Sequence, residues 1–530
     1  MTQTRIGLRT LLAGAIAVAL AGAAAAQDTP RRGGTLVVGT TSEQRILNPA
    51  IRASTGVYLM ASKIVEPLLD TTHGGVEPLL ATEWSSSADG KTITFKLRQG
   101  VKWHDGKDFT SRDVRFSALE CWKKILNYGT TLFLYLDDVE TPDAHTAVFK
   151  FSRPMPMDLM LRAMPDLGHV IPAHLYEGTD INQNPYNNKP VGTGPFKFVE
   201  YQRGQYIIAD RNPDYWRKGH PYLDRVVWRF ITDKSAMAAA IEAEQVHIAP
   251  FMGVPMSDIA RFAKDPRFMV GTMGYEGNVA HTAMEMNLRR KELSDVRVRR
   301  ALFHALDIDF VIKNIFLGYG KRGTGPIPST SPDFYTTDVP SYPFDKAKAE
   351  GLLDEAGYKR GADGNRFALK LVPAPWGEYT LFFAQYIQQA LGDVGVKVEI
   401  QQFDAAGFLR SVYRDHAFDL TTGWHQYRND PAVSTTVWYR SGSPVGTPWS
   451  NQYGYLNPRM DEVIDAAAFE LDRGKRRALY HEFQRLALED LPVAMAIEHP
   501  FVSVTNKKVQ NSHNTPRWAS STWWDTWLKP

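Results

Sequence analysis

Residues 368–424 read ALKLVPAPWGEYTLFFAQYIQQALGDVGVKVEIQQFDAAGFLRSVYRDHAFDLTTGW, and this stretch decides the fold class. An apolar run from Ala368 gives way to a helical pattern over Glu378–Leu391. An alternating VKVEIQQF follows from Val396, a second helical pattern covers Asp404–Tyr413, and FDLTTGW closes the stretch from Phe418. Strands joined by helix-length connectors pair in parallel with right-handed crossovers, so the segment predicts one α/β lobe. In its first helix Phe382, Phe383, Tyr386, Ile387, Ala390 and Leu391 recur three and four apart, a stripe for packing on the sheet, and Gly392 fits the position after the helix end.

Upstream, Ser294 or Asp295 can cap a helix running through Leu317, and Asp345 starts a shorter one that Gly357 ends. The N-terminal half differs. TLVVGT from Thr35, KTITFKLRQGVKW from Lys91, FKFVEY from Phe196 and YIIAD from Tyr206 are strand-like, which predicts a second lobe with more mixed and antiparallel sheet. Pro and Gly are spread along the chain with no repeat and no linker, so the domains are expected to be discontinuous.

The chain has 530 residues, 43% apolar and 22% charged, which is the composition of a folded protein of several domains. Arg5 and Arg9 precede an apolar run from Leu11 to Ala21, and small residues end at Ala26, so residues 1–26 are expected to be a cleaved signal peptide. Position 27 is Gln and the single cysteine is Cys121, so a periplasmic protein without a lipid anchor is expected. That cysteine count also excludes an intramolecular disulfide and a multi-cysteine zinc or iron–sulfur site. The formal charge of +3 falls to +1 without Arg5 and Arg9, a balance that predicts no nucleic-acid partner.

Several motifs have bland readings. GYGKRG at Gly318–Gly323 matches a dinucleotide fingerprint in letters, but it follows a helix and runs into Pro326 and Pro328, so a helix-terminating loop is expected. His481 and Glu482 lack the second histidine of a zinc-protease helix. His104 and Asp105 in VKWHDGK belong to a tight turn. The richest stretch is GWHQYRNDPAVSTTVWYRSG, 423–442, at the carboxyl end of the last strand of the α/β lobe. Ligands of open α/β sheets bind there, which makes Trp424, His425, Gln426, Tyr427 and Asp430 candidate site residues. Aromatic residues that simply fill a core are the competing reading.

At these residues the chain resembles the large bacterial solute-binding proteins of the peptide, dipeptide and nickel class, solute-binding protein family 5, which serve ABC importers. The resemblance rests on LATEWSSSADGKTITFKLRQGVKWHDGKDFTSRDVRFS (80–117), VGTGPFKFVEY from Val191, NPDYW (212–216), DVRVRRALFHALD from Asp295 and DKAKAEGLLDEAG from Asp345. It implies a two-lobe periplasmic-binding-protein fold, α/β and Venus-flytrap-like, with an extra subdomain inserted in lobe I. Lobe I would be 27–284 plus 500–530, the insertion about 53–185, and lobe II 285–499.

The resemblance also implies a non-enzymatic receptor, monomeric and without cofactor or metal. Its partners would be a small-molecule or short-peptide ligand held in the interlobe cleft and the ABC permease. Asp430 stands where dipeptide-binding relatives pair an aspartate with the ligand's ammonium, and Ser54, Thr55, Gly56 and Tyr58 match a loop touching ligand backbone. Leu371–Thr380 holds no arginine where such relatives place one for the ligand carboxylate, and Trp376 is expected to fill part of that space. A longer peptide, an opine-like conjugate or another organic solute stays open as ligand. A nickel or haem carrier, for which His425 is the one candidate, and a secreted hydrolase are the alternatives.

Overall fold

The computed structural model describes residues 29–499 and 501–530, so the expected signal segment 1–26 lies outside the described residues. Two sheets organise the chain. The first has seven strands in the spatial order Phe268–Gly271, Ser503–Asn506, Ile248–Ala249, Thr35–Thr40, Arg225–Phe230, Tyr206–Arg211, Phe196–Gln202. Thr35–Thr40 runs parallel to both of its neighbours and the outer pairings are antiparallel, the mixed character expected of the N-terminal half. Between Thr35–Thr40 and Phe196–Gln202 the chain builds a separate four-stranded antiparallel sheet from 81–151. Its core stacks Trp122 on Phe149, with Phe95 edge-on.

The second sheet has six strands, in the order Lys321–Arg322, Val493–His499, Ala280–Met286, Leu420–Gln426, Phe367–Pro373, Val396–Ile400. Its last three members are parallel to one another and are joined by helix Glu378–Asp393 and the helical segment 405–414, as the decisive stretch predicts. Helix Glu378–Asp393 buries Phe383, Ala384, Ile387, Ala390 and Leu391 on the sheet. Each of the large side chains contributes about 1.5–3 kcal/mol relative to exposure. The helix runs two residues past Leu391, and Gly395 (φ 85°), not Gly392, takes the left-handed turn that leads into the next strand.

Two further differences are instructive. The continuous helix expected from Asp295 to Leu317 is two helices, Val296–His304 and Ile308–Asn314, because Asp307 breaks the ladder and caps the second by accepting from the Phe310 amide at 3.0 Å. The strand Ala280–Met286, which straddles the expected boundary between 284 and 285, pairs on both edges within the second sheet. Its polar His281, Thr282 and Glu285 hide a fully buried strand in the sequence. The chain therefore crosses between the sheets at 272–279, and after Val493–His499 the described residues resume at 501 and return to the first sheet through Ser503–Asn506. Among the described residues no helix is long and apolar enough to cross a membrane.

Candidate functional site

Strands Phe367–Pro373 and Leu420–Gln426 end at the same edge of the second sheet, and Ala280–Met286, antiparallel to the latter, begins there. This edge faces the first lobe. Side chains along a strand alternate between faces, so Trp424 and Gln426 share one face and His425 takes the other. The Trp424 ring meets Phe501 of the C-terminal stretch at 5.7 Å, and Trp424 packs against the hydrophobic cores on both sides. Gln426 Oε1 accepts from Thr55 Oγ1 at 3.1 Å, joining the lobes directly.

The remaining expected residues occupy other places. His425 is buried within the second lobe, its Nε2 2.9 Å from Glu285 Oε1 and its ring on Trp438. The Tyr427 hydroxyl is 2.7 Å from Ser331 Oγ, also inside that lobe. Asp430 is fully buried, and Arg476 Nη1 and Nη2 donate to its two oxygens at 2.8 and 2.7 Å while the Ala432 amide donates at 2.9 Å. Its carboxylate is saturated by the protein's own cation. Trp376 packs edge-on against Phe408 at 5.5 Å, beside Trp449. Ser54 caps helix Thr55–Ala61 by accepting from the Val57 amide at 3.3 Å, and Gly56 leaves room for Gln44, whose Nε2 would lie 2.4 Å from a Cβ. Tyr58 donates to the Asp166 carbonyl at 2.8 Å and stacks on His169. Burial pushes its phenol up to about 12, with the nearby guanidinium groups of Arg428 and Arg517 pulling the other way.

Those two arginines mark a centre that sequence reading missed. Arg428 follows the strand Leu420–Gln426, donates to Gln426 Oε1 at 3.3 Å and lies 5.0 Å over the Tyr128 ring. Its Nη1 is 3.8 Å from Asp166 Oδ2, and Arg517 of the C-terminal stretch donates to Asp166 Oδ1. Asp166 comes from helix Met157–Leu167 of the insertion. Gly277 of the first crossing is the fourth wall: a Cβ there would lie 2.5 Å from Arg517 Cγ and 3.2 Å from Asn429 Oδ1. Asn429 holds a left-handed φ of 56°, strain of the kind that collects at functional sites.

The insertion, the first crossing, the second lobe and the C-terminal stretch thus meet at one point, and six buried polar atoms of these segments have no hydrogen-bond partner. Gln426 Nε2, Arg428 Nε, Asn429 Nδ2 and Arg517 Nε are donors without a hydrogen-bond partner, and Asp166 Oδ2 and Glu276 Oε2 are acceptors without one. Each such atom costs about 1–3 kcal/mol unless something binds it. Arg428 and Asn429 lie inside the stretch 423–442 and could have been singled out with it. Asp166 and Arg517 are 351 residues apart and carry no local signal. Among the described residues no group of three or more His, Cys, Asp or Glu is disposed to hold a metal.

The family model described as bacterial extracellular solute-binding proteins, family 5 Middle, matches residues 75–446. The chain is 29% identical over 502 residues to the dipeptide-binding protein of Escherichia coli, covering 88% of this chain and 90% of that one. It is 27% identical over 451 residues to the glutathione-binding protein GsiB of Pectobacterium atrosepticum, covering 83% of each. The periplasmic binding protein DppA of Helicobacter pylori, solved with the peptide STSA, superposes with a TM-score of 0.80 at 24% identity, covering 94% of this chain and 99% of that one.

Proposed function

The chain belongs to the bacterial extracellular solute-binding proteins of family 5, a family of periplasmic receptors rather than enzymes, and from that premise we propose that it captures a peptide-like solute between its lobes and delivers it to an ABC permease. The observation that carries the ligand reading is the meeting of four chain segments around unpartnered buried donors and acceptors. Both signs of polar group are present, as a zwitterionic chain needs. Trp424 and Phe501 supply apolar wall beside them. Relatives named for dipeptide and glutathione binding favour the same class of solute.

The mechanism requires no bond to break, and the protein acts without catalysis, cofactor or metal. A solute that touches Thr55 and Asp166 on one side and Gln426 and Arg428 on the other has greater affinity for the closed form, and that difference moves the open–closed equilibrium. Within this reading Asp430 supports the site from behind through Arg476 instead of meeting an amine, and Trp376 walls its second-lobe rim. The receptor is exported through the signal segment 1–26, carries no lipid anchor and works as a monomer. The test is mass spectrometry of whatever co-purifies from the native periplasm, released by mild denaturation, followed by a thermal shift on adding it back. Short peptides that restore stability are the expected result. A single non-peptide compound, or turnover of added peptides, would replace the reading.

A further inference from the structure

The polar centre is richer in donors than in acceptors. Four of its six unpartnered buried atoms donate, and two of those four belong to guanidinium groups. Arg428 and Arg517 are 5% and 2% exposed, and a guanidinium cannot shed its charge as a lysine can. Asp166 is the carboxylate both touch, one oxygen to each. Glu276 is half-buried on the first crossing, and Asp70 lies within electrostatic reach of Arg517 but is shared with Lys63. Two permanent cations therefore divide one carboxylate at the point of contact.

From this arrangement we propose that Arg428 and Arg517 form an oxyanion subsite, which takes a carboxylate of the bound solute. The assignment deepens the peptide-receptor reading and rests on it. It moves carboxylate recognition to the loop after the strand Leu420–Gln426 and to the C-terminal stretch, because Leu371–Thr380 contains no arginine. The guanidinium fork offers Nε and an Nη side by side, which matches the two oxygens of a carboxylate. The two forks come from different lobes. An anion seated between them bridges the lobes and favours closure as it binds.

The carboxylate can be a peptide's C-terminus or an acidic side chain, and alanine oligomers of two to five residues separate the two. Isothermal titration of the ligand-stripped full-length protein would use each oligomer as free acid, as C-terminal amide, and as the amide with one internal Glu. The expected result is that the acids bind at least tenfold tighter than the plain amides, and that Arg428→Gln abolishes this preference while retaining the wild-type circular dichroism spectrum. Arg517→Lys keeps the pairing charge for Asp166 but loses the fork, and should reduce the preference without unfolding the chain. Glu-containing amides that bind as tightly as the free acids would identify the side chain as the source. Acids and amides binding equally, or an undiminished preference in both variants, would overturn the assignment while leaving the peptide reading intact. Binding of none of the oligomers to the wild type would overturn the peptide reading and the assignment together.

Discussion

Asp430 shows what one residue's letters can and cannot convey. Its place in GWHQYRND, after the carboxyl end of a strand, made it a candidate ligand contact, whereas both its carboxylate oxygens accept from Arg476. Its partner does not follow from that place, because Arg476 lies 46 residues later on helix Arg473–Asp490. The same limit hides Asp166 and Arg517, since long-range ion pairs leave no spacing signature. The pair Asp430–Arg476 makes a sharp prediction. Arg476 also donates to the Ala467 carbonyl at 3.0 Å and is 2% exposed, so Asp430→Asn leaves a guanidinium buried with too few acceptors. The cost should be about 3–5 kcal/mol, the range for removing one partner of a buried pair. Replacing both, as Asp430→Leu with Arg476→Met, should recover most of it, since an apolar pair incurs no desolvation penalty. Urea unfolding of the two variants decides: equal stability of Asp430→Asn and wild type would show that water already reaches the pair.

At the scale of elements the α/β lobe was legible because its signals are local. Alternation, helical stripes and caps such as Asp345, which accepts from the Lys348 amide at 2.9 Å, all act within a few residues. The strand Ala280–Met286 was not, because burial on both faces removes the alternation that marks a strand. The motifs VKWHDGK and VGTGPF acquire a joint meaning only in three dimensions. The His104 amide donates to the Gly192 carbonyl at 2.8 Å, and Gly192 in turn packs on the backbone of Ile64, where a Cβ would lie 1.7 Å from the carbonyl oxygen. Backbone cannot move aside as a side chain can, so Gly192→Ala should destabilise by about 3 kcal/mol, the upper end of the range for overpacking. Gly351 is the internal control. It sits exposed within helix Lys346–Glu355 with open space around its Cα, and Gly351→Ala should stabilise by about 0.5–1 kcal/mol. Melting temperatures moving the same way for both substitutions would refute the close-approach account of Gly192.

At the scale of the whole molecule, one helix connects the polar centre to the rim where the lobes meet. Asp158, Arg162 and Asp166 stand four apart on helix Met157–Leu167 and so lie along one face. Asp166 reaches the centre, while Arg162 pairs with Asp333 of the second lobe and Asp158 lies 3.8 Å from Arg476. Arg473 joins Asp333 at 2.6 Å, and nearby Tyr135 meets Phe469 edge-on at 5.4 Å. Arg162–Asp333 and Asp158–Arg476 thus join the two lobes at the rim, while Arg473–Asp333 lies within the second lobe. Arg162 and Asp333 side chains are 23% and 24% exposed, so salt screens the contact in part and its worth is about 1 kcal/mol, a roughly fivefold change in the open-to-closed ratio. Burial by itself would raise the Asp333 carboxyl, but Arg162 and Arg473 outweigh it and hold it below the usual carboxylate range. A depressed carboxyl favours the state that depresses it at pH above its ordinary value, and that support is lost as pH falls through the lowered value. Closure of the ligand-free protein should therefore weaken on acidification and with added salt, and Arg162→Gln should weaken it at neutral pH in low salt. Small-angle scattering reads this as a growing radius of gyration. Asp333→Asn should match Arg162→Gln, and the double variant should open no further than either, because both substitutions remove the same contact. A radius of gyration indifferent to salt and to all three variants would mean that closure is set by the polar centre alone.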